Sequence, residues 1–338
     1  MRKERILLAH GGGGRLMQEL IRGLFVPAFS NPVLATLSDA ALPGALPPGR
    51  PAFTTDAFVV EPSVFPGGDL GYLAVCGTVN DLAVAGATPL WLSFAVILEE
   101  GLEVELLRTF VAGAARAAGE AGVQVVAGDT KVVPKGKADG AFIVTAGVGV
   151  VPPGVDLGDH RIAPGDAVLV SGPVGEHGAT VMACRHHMAG AGLRSDCAPL
   201  GSLAAALRDG GVELHAMHDP TRGGLATTCH EAASRAGVRI VLEQEAVPVR
   251  AQVAAVCELL GLDPLYVACE GRLLAWVRGE DAEHALSVLR AHPRGVEAAV
   301  VGRVEARLPE QAPVVLRTPF GSVRVLDLLA GSELPRIC

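Results

Sequence analysis

Short runs rich in Val, Ile and Leu alternate with alanine-rich stretches of helical period along almost the whole chain. Such alternation restricts the chain to sheets covered by helices, an α/β (α+β) architecture. In the first half, helical spacing covers 15–28 through Leu16, Leu20 and Leu24, and helices are predicted at 70–86 and 103–121. Strands are predicted at 52–60, 91–98, 123–126 and 141–151, and the Pro/Gly-rich stretch 43–51 is a loop. In the second half, strands are predicted at 168–171, 238–243, 273–278 and 298–304, and helices at 176–189, 223–236, 249–260 and 281–291. The turn formers between Val151 and Gly165 mark the boundary between the halves.

A length of 338 residues suits about two domains of roughly 150 residues. Half of the residues are hydrophobic but only 4% are aromatic, so the core is expected to be aliphatic. The net charge of -8 argues against a nucleic acid or an anionic membrane as partner, since both need basic surface. No window reaches the ~18 apolar residues of a membrane span. The apolar start, Ile6-Leu7-Leu8-Ala9, is too short for a signal peptide, so a cytoplasmic location is expected. Seven cysteines, an odd number without a CxxC pair, argue against a disulfide framework or a thiolate zinc site.

Several clusters can carry chemistry. Gly11-Gly12-Gly13-Gly14 lies between a strand-like run and a helix, where backbone N–H groups can approach a phosphate. It is not a Walker A loop, because no Gly-Lys-Ser/Thr occurs. Asp56, Asp81 and Asp129 are isolated charges inside apolar runs, and a buried carboxylate needs a partner. A hard divalent cation with nucleotide phosphates would satisfy all three, whereas three separate turn or cap aspartates are the plain alternative. Lys131, one of four lysines, follows Gly128-Asp129-Thr130 and is read as lying at a strand end. A cation there can balance phosphate or move a proton. In His218-Asp219-Pro220-Thr221-Arg222-Gly223-Gly224, Asp219 or Thr221 can cap the next helix and Arg222 can meet phosphate. Glu270, before the strand at 273, is a candidate base beside a pocket or half of a surface pair with Arg272. The tail ends in an exposed thiol, Cys338, and eight extended residues reach at most ~26–29 Å, enough to swing between surface and cleft.

The order of these motifs, from Gly11–Gly14 through Thr55-Asp56-Ala57-Phe58, Gly77-Thr78-Val79-Asn80-Asp81, Gly128-Asp129-Thr130-Lys131 and His218–Leu225 to Pro335-Arg336-Ile337-Cys338, resembles the HypE family of carbamoyl dehydratases. That family belongs to the superfamily of aminoimidazole ribonucleotide synthetase and selenophosphate synthetase. The resemblance implies a two-domain, aminoimidazole ribonucleotide synthetase-like (PurM-like) fold with a flexible C-terminal tail. It divides the chain into a Gly-rich segment (1–35), an ATP-binding and dimerisation domain (36–152), a C-terminal domain (160–306) and a tail segment (307–338). It implies that a HypF carbamoyltransferase loads Cys338. ATP-dependent loss of water then leaves a thiocyanate, and the cyanide passes to a HypC–HypD complex as an iron ligand for [NiFe]-hydrogenase. By matching motifs, Asp56, Asp81 and Asp129 would hold Mg²⁺. Gly11, Gly12, Gly13, Gly14, Asn80, Thr130, Asp219 and Arg222 would join them around ATP, with Lys131 and Glu270 handling the proton. A homodimer is implied. Ala57 stands where the family commonly has serine, which removes a hydroxyl there and leaves Asp56 untouched.

Two other readings compete. A selenophosphate synthetase-like enzyme would place a cysteine near the N-terminal glycines, yet no cysteine precedes Cys76. A carrier or scaffold would hold the carbamoyl group without dehydrating it and would have no use for the acids and Lys131.

Overall fold

The structure is a computed structural model and describes residues 4–188, 192–331 and 336–338. After a 3₁₀ turn at Leu8–Gly11, α1 (Arg15–Leu20) runs through a π-helical turn (Ile21–Phe25) into α2 (Val26–Phe29), and α3 (Pro32–Ala35) follows. The single helix expected over 15–28 is thus widened in its middle. Pro27 has no N–H for the carbonyl four residues earlier, and the turn before it opens to the wider spacing.

The N-terminal lobe continues with β1 (Arg50–Phe58), the small hairpin β2 (Val64–Phe65) and β3 (Gly68–Asp69), α4 (Leu70–Val84), β4 (Thr88–Glu99), α5 (Val104–Ala121), β5 (Gln124–Val133) and β6 (Ala141–Val151). Its sheet has the order β1-β6-β4-β5. Only β4 and β5 are parallel, and α5 provides the crossover such a pair needs. One face is covered by α4 and α5 and closes a core that includes Leu73, Val75, Leu92, Val96, Leu107 and Phe110. The opposite face carries Phe53, Trp91, Ile97, Val144 and Val148 at least partly exposed.

In the C-terminal lobe, β7 (Ala167–Val170), α6 (Glu176–Arg185), α7 (Gly201–Arg208), β8 (Leu214–His218), α8 (Gly224–Ala236), β9 (Val238–Glu243), α9 (Ala251–Leu260), β10 (Leu274–Val277), α10 (Ala282–Ala291), β11 (Ala299–Ala306), β12 (Val314–Arg317) and β13 (Val323–Val325) follow in order. Seven strands form a sheet of order β13-β12-β9-β11-β7-β10-β8, in which only β12 and β9 are parallel. The sequence reading did not place α7, β8, β12 or β13. Each is at most eight residues long, too short for its periodicity to stand out.

α4 joins the two lobes. Every one of its residues except Asp81 is buried, and most are apolar, as suits a central helix. Asp69 caps its start by accepting from Gly71 N and Tyr72 N at 2.9 and 3.0 Å. At its far end Ala83 and Val84 pack into the same cluster as Leu200, Leu203 and Leu207 of the C-terminal lobe. Side chains projecting from one side of α4 therefore lie at the seam between the lobes.

Candidate active site at the lobe seam

A narrow cavity of about 40 Å³ opens at that seam. Asp56, Ala57 and Phe58 of β1, Gly77 and Asp81 of α4, Asp219, Thr221 and Arg222 from the β8–α8 turn, Glu270 and Cys338 line it. Four segments distant in sequence thus bring five of the expected site residues around the terminal thiol.

The acids are held by threonines. Thr54 Oγ1 donates to Asp81 Oδ2 at 2.7 Å and Thr78 Oγ1 to Asp56 Oδ2 at 3.4 Å. Burial, then the neighbouring Asp81, pushes the Asp56 carboxyl up to about 6. Burial, then Asp81 again, pushes Asp219 up to about 7. Arg222 is the cation that faces Asp56, Glu270 and Cys338. Asp56 and Asp219, which resist ionising, sit with Asp81 in a cluster short of positive charge. Their oxygen donors suit a hard divalent cation. No three His, Cys, Asp or Glu side chains among the described residues already stand as a complete metal cage.

Glu270 is buried, with 1% of its surface exposed, and one carboxyl oxygen has no partner among the described residues. Its loop is fixed from two sides. Asp196 accepts from Glu270 N and Gly271 N at 3.4 and 3.2 Å. Asn80 donates to the Glu270 and Ala198 carbonyls at 3.3 and 3.1 Å and accepts from Leu200 N at 2.7 Å. The Asn80 amide therefore braces the backbone of the seam. Burial first, then Asp219, raises the Glu270 carboxyl well above the usual range, and its side chain shares a hydrogen bond with the Cys338 thiol.

The tail is docked, not exposed as expected. Ile337 retains 2% of its surface and joins the buried apolar cluster that contains Phe65, Val181 and Ala268. Glu61 N and Arg185 both donate to the Arg336 carbonyl, and the Arg336 guanidinium pairs with Glu61 and Asp139 at 2.8 and 2.6 Å. Residues 332–335, with Pro335, lie outside the described residues. Burial first, then the Glu270 carboxyl, holds the Cys338 thiol well above its usual range, so the docked sulfur is a neutral thiol.

Asp219 and Thr221 do not cap α8, because its N-cap is Gly223 at φ +77 with no side-chain bond. Asp129, Thr130 and Lys131 lie inside β5 rather than at a strand end or turn. Asp56 pairs across the sheet with Thr145, Thr145 with Phe94, and Phe94 with Gly128. Laterally paired residues share a face, so Gly128 and Thr130 lie on the Asp56 side while Asp129 and Lys131 lie on the other. With strands ~4.8 Å apart, β5 is about 14 Å from β1. Lys131 instead pairs with Asp129 at 3.0 Å, both side chains more than half exposed. The expected grouping of Asp129 with Asp56 and Asp81 around one metal, and of Lys131 with Glu270, is not formed within one chain.

A second cavity of about 420 Å³ lies along β5, walled by Met17, Ile21, Phe25, Phe29 and Phe94 with Asp129 and Thr130 at its rim. The Gly-rich loop packs on the same strand. A Cβ on Gly11 would come within 2.6 Å of Val132 N, so only glycine fits. Gly13, at φ +78, and Gly14 have open space around them. The sequence reading missed this cavity, since its walls are ordinary core residues. It also missed His177, Arg185 and Glu61 at the tail, which carry no motif.

Comparison with known proteins bears on all of this. Residues 38–151 match the family model for the AIR synthase related protein N-terminal domain, and 163–312 match that for the C-terminal domain. Carbamoyl dehydratase HypE of Rhodobacter capsulatus is 52% identical over 342 residues, spanning 100% of this chain and 99% of that protein. A crystal structure of hydrogenase maturation protein HypE in complex with ATP superposes with a TM-score of 0.94 at 45% identity, covering 98% and 99% of the two chains. A HypE–HypF complex structure matches with a TM-score of 0.79 at 42% identity, covering 93% and 99%.

Proposed function

This chain belongs to the HypE family of AIR synthase related proteins, and from that premise we propose how its residues divide the work of the reaction. The chain is an ATP-dependent carbamoyl dehydratase of hydrogenase maturation. The observation that carries the assignment of roles is the docking of Cys338 against Glu270 inside the carboxylate cleft.

The docked thiol is neutral and buried, so it is a poor nucleophile where it sits. Cys338 receives its carbamoyl group with the tail out of the cleft, and a HypF-type carbamoyltransferase is the donor. Redocking brings S–C(=O)–NH₂ to Glu270. The carbonyl oxygen takes the γ-phosphoryl group of ATP, and ADP leaves. In its ionised form Glu270 accepts an N–H proton as the C=N bond forms, and the burial that raises its pKa makes that carboxylate a stronger base. The second N–H proton goes to the departing phosphate as the C–O bond breaks, giving S–C≡N and inorganic phosphate. Asp56, Asp81 and Asp219 would hold Mg²⁺, which neutralises phosphate charge when bound. Arg222 offsets negative charge beside the thiol. The narrow cleft excludes bulk water, which protects the phosphorylated intermediate from hydrolysis.

The cavity along β5 is of a size to take the nucleoside, with Asp129, Thr130, Lys131 and the Gly11–Gly14 loop toward the phosphates. The half-exposed sheet face around Phe53 and Trp91 supports a homodimer. A HypC–HypD complex is the acceptor of the cyanide. All seven cysteines are free, which supports a reducing, cytoplasmic location.

The deciding measurement is the intact mass of the carbamoylated chain before and after ATP with Mg²⁺. Loss of one water, mapped to Cys338, is expected. Carbamoylation without that loss would leave the chain a carrier, and a loading that survives Cys338→Ala would remove the tail from the mechanism.

A further inference from the structure

His177 lies on α6 with none of its surface exposed. Its Nε2 is 2.7 Å from the Ile337 carbonyl oxygen, and its Nδ1 is 2.8 Å from Ser195 Oγ. A carbonyl can only accept, so Nε2 carries the proton and Nδ1 accepts from the serine hydroxyl. Ser195 is itself pinned, since its N donates to Pro66 O at 2.8 Å and its Oγ accepts from Cys197 N at 3.0 Å. The phenyl ring of Phe65 meets the imidazole edge-on at 5.3 Å. The ring therefore has one tautomer, set by the tail carbonyl, and one orientation, held from outside the tail by Ser195 and Phe65.

The bond it makes falls on the residue next to the reacting thiol. Ile337 has its side chain in the apolar cluster and its carbonyl on His177, so the chain direction entering Cys338 is set at two points. The Arg336 carbonyl is held separately by Glu61 N and Arg185 at the mouth of the cleft. Mouth contacts retain the tail, while the His177 contact aims it.

We propose that His177 is a positioning residue for the dehydration, its Nε2–H fixing the Ile337 carbonyl so that the group on Cys338 meets Glu270. This rests on the proposed function for the reaction and goes beyond it in the residue that aligns the intramolecular substrate. When the tail leaves to be loaded, the same N–H loses its acceptor, so the bond favours return.

The test uses the full-length chain and two substitutions, His177→Leu and His177→Gln. The glutamine amide can still donate to the carbonyl, whereas leucine cannot. Three readouts are taken: the alkylation rate of unloaded Cys338 by iodoacetamide, the single-turnover rate of water loss after carbamoylation, and the KM for ATP. For His177→Leu, alkylation rises and water loss slows, each by about tenfold, for one lost buried hydrogen bond. The KM for ATP stays unchanged, and His177→Gln returns both rates toward wild type. Unchanged alkylation and turnover in His177→Leu overturns the proposal. So does a glutamine variant as impaired as leucine with ATP binding lost in both, since that outcome assigns His177 to the fold alone. Alkylation needs no dehydration, so a wild-type chain that loses no water fails the proposed function while the alkylation arm still decides on His177.

Discussion

Gly77 and Phe58 are fitted to each other across the cleft: a Cβ on Gly77 would fall 2.7 Å from the phenyl Cζ and 2.8 Å from Cε1. The ring, 5% exposed, forms one wall of the cavity that holds the thiol. The missing side chain in α4 therefore leaves the ring its place. Gly77→Ala is expected to displace Phe58 into the cavity and to slow water loss at Cys338 at least tenfold, with a stability cost of about 1–3 kcal/mol for overpacking. Single-turnover mass spectrometry and denaturant unfolding check the two effects, and a variant with unchanged turnover refutes the fit.

Glu270→Gln removes the proton acceptor but keeps the shape. Carbamoyl loading and ATP binding should persist while water loss falls by about 10²–10⁴-fold, the usual reach of a general base. The loaded, undehydrated chain should accumulate in the mass spectrum. Turnover near wild type would transfer the proton step to another group.

The carboxylate cluster makes the ligand-free protein sensitive to alkali. Asp56 at about 6 and Asp219 at about 7 lie above the unfolded carboxylate value of 3.8. Their contribution to stability is therefore present below pH 4 and lost as pH rises through 6 and 7. A divalent cation bound to the ionised forms should offset this loss. Magnesium with ATP should then raise the melting temperature more at pH 8 than at pH 5.5, by a difference of about 1–2 °C for a stabilisation near 1 kcal/mol. Equal shifts at both pH values would separate the cation from these acids.

Asn80→Ala is expected to act through the fold first. It removes partners from three backbone groups in the buried seam: the Leu200 N–H and the Ala198 carbonyl are orphaned and the Glu270 carbonyl keeps only Ala198 N, so about 2–4 kcal/mol of stability should be lost. Because the Glu270 carbonyl is among them, turnover should fall as well, with the KM for ATP little changed. A variant of native stability with weakened ATP binding would bear out the nucleotide role expected from the sequence.

Lys131→Ala tests the separation seen along β5. A phosphate-binding role predicts a KM for ATP raised about tenfold, with the water-loss rate at saturating ATP nearly kept. A fall in that saturated rate with unchanged KM would instead put Lys131 at the reacting group, as a contribution from a second copy of the chain.

Much of the fold was legible because its signals are local. The helix at 70–86 and the strands at 52–60, 91–98 and 141–151 appear within a few residues of their expected ends. Asp56, Asp81 and Asp129 stood out as charges in apolar runs; the first two line the cleft, whereas the Asp129 side chain is more than half exposed. Two kinds of information were not local. Lys131 and Asp129 were read near a strand end because their Gly-Asp-Thr context resembles a turn, yet β5 continues through them to Val133, and the strand period then turns them to the other face. The capture of Ile337 by His177 links residues 160 positions apart, and neither carries a local pattern that marks the other.

Docking of Ile337 and Cys338 in the chain's own cleft alters what kinetics can mean for this reaction. The carbamoyl group has no bulk concentration, because it arrives covalently attached to the catalyst that consumes it. Diluting the loaded protein should leave the rate constant of water loss unchanged, and only the nucleotide can be driven to saturation. Each loading permits a single turnover, so sustained flux is set by how quickly partners charge and empty the tail.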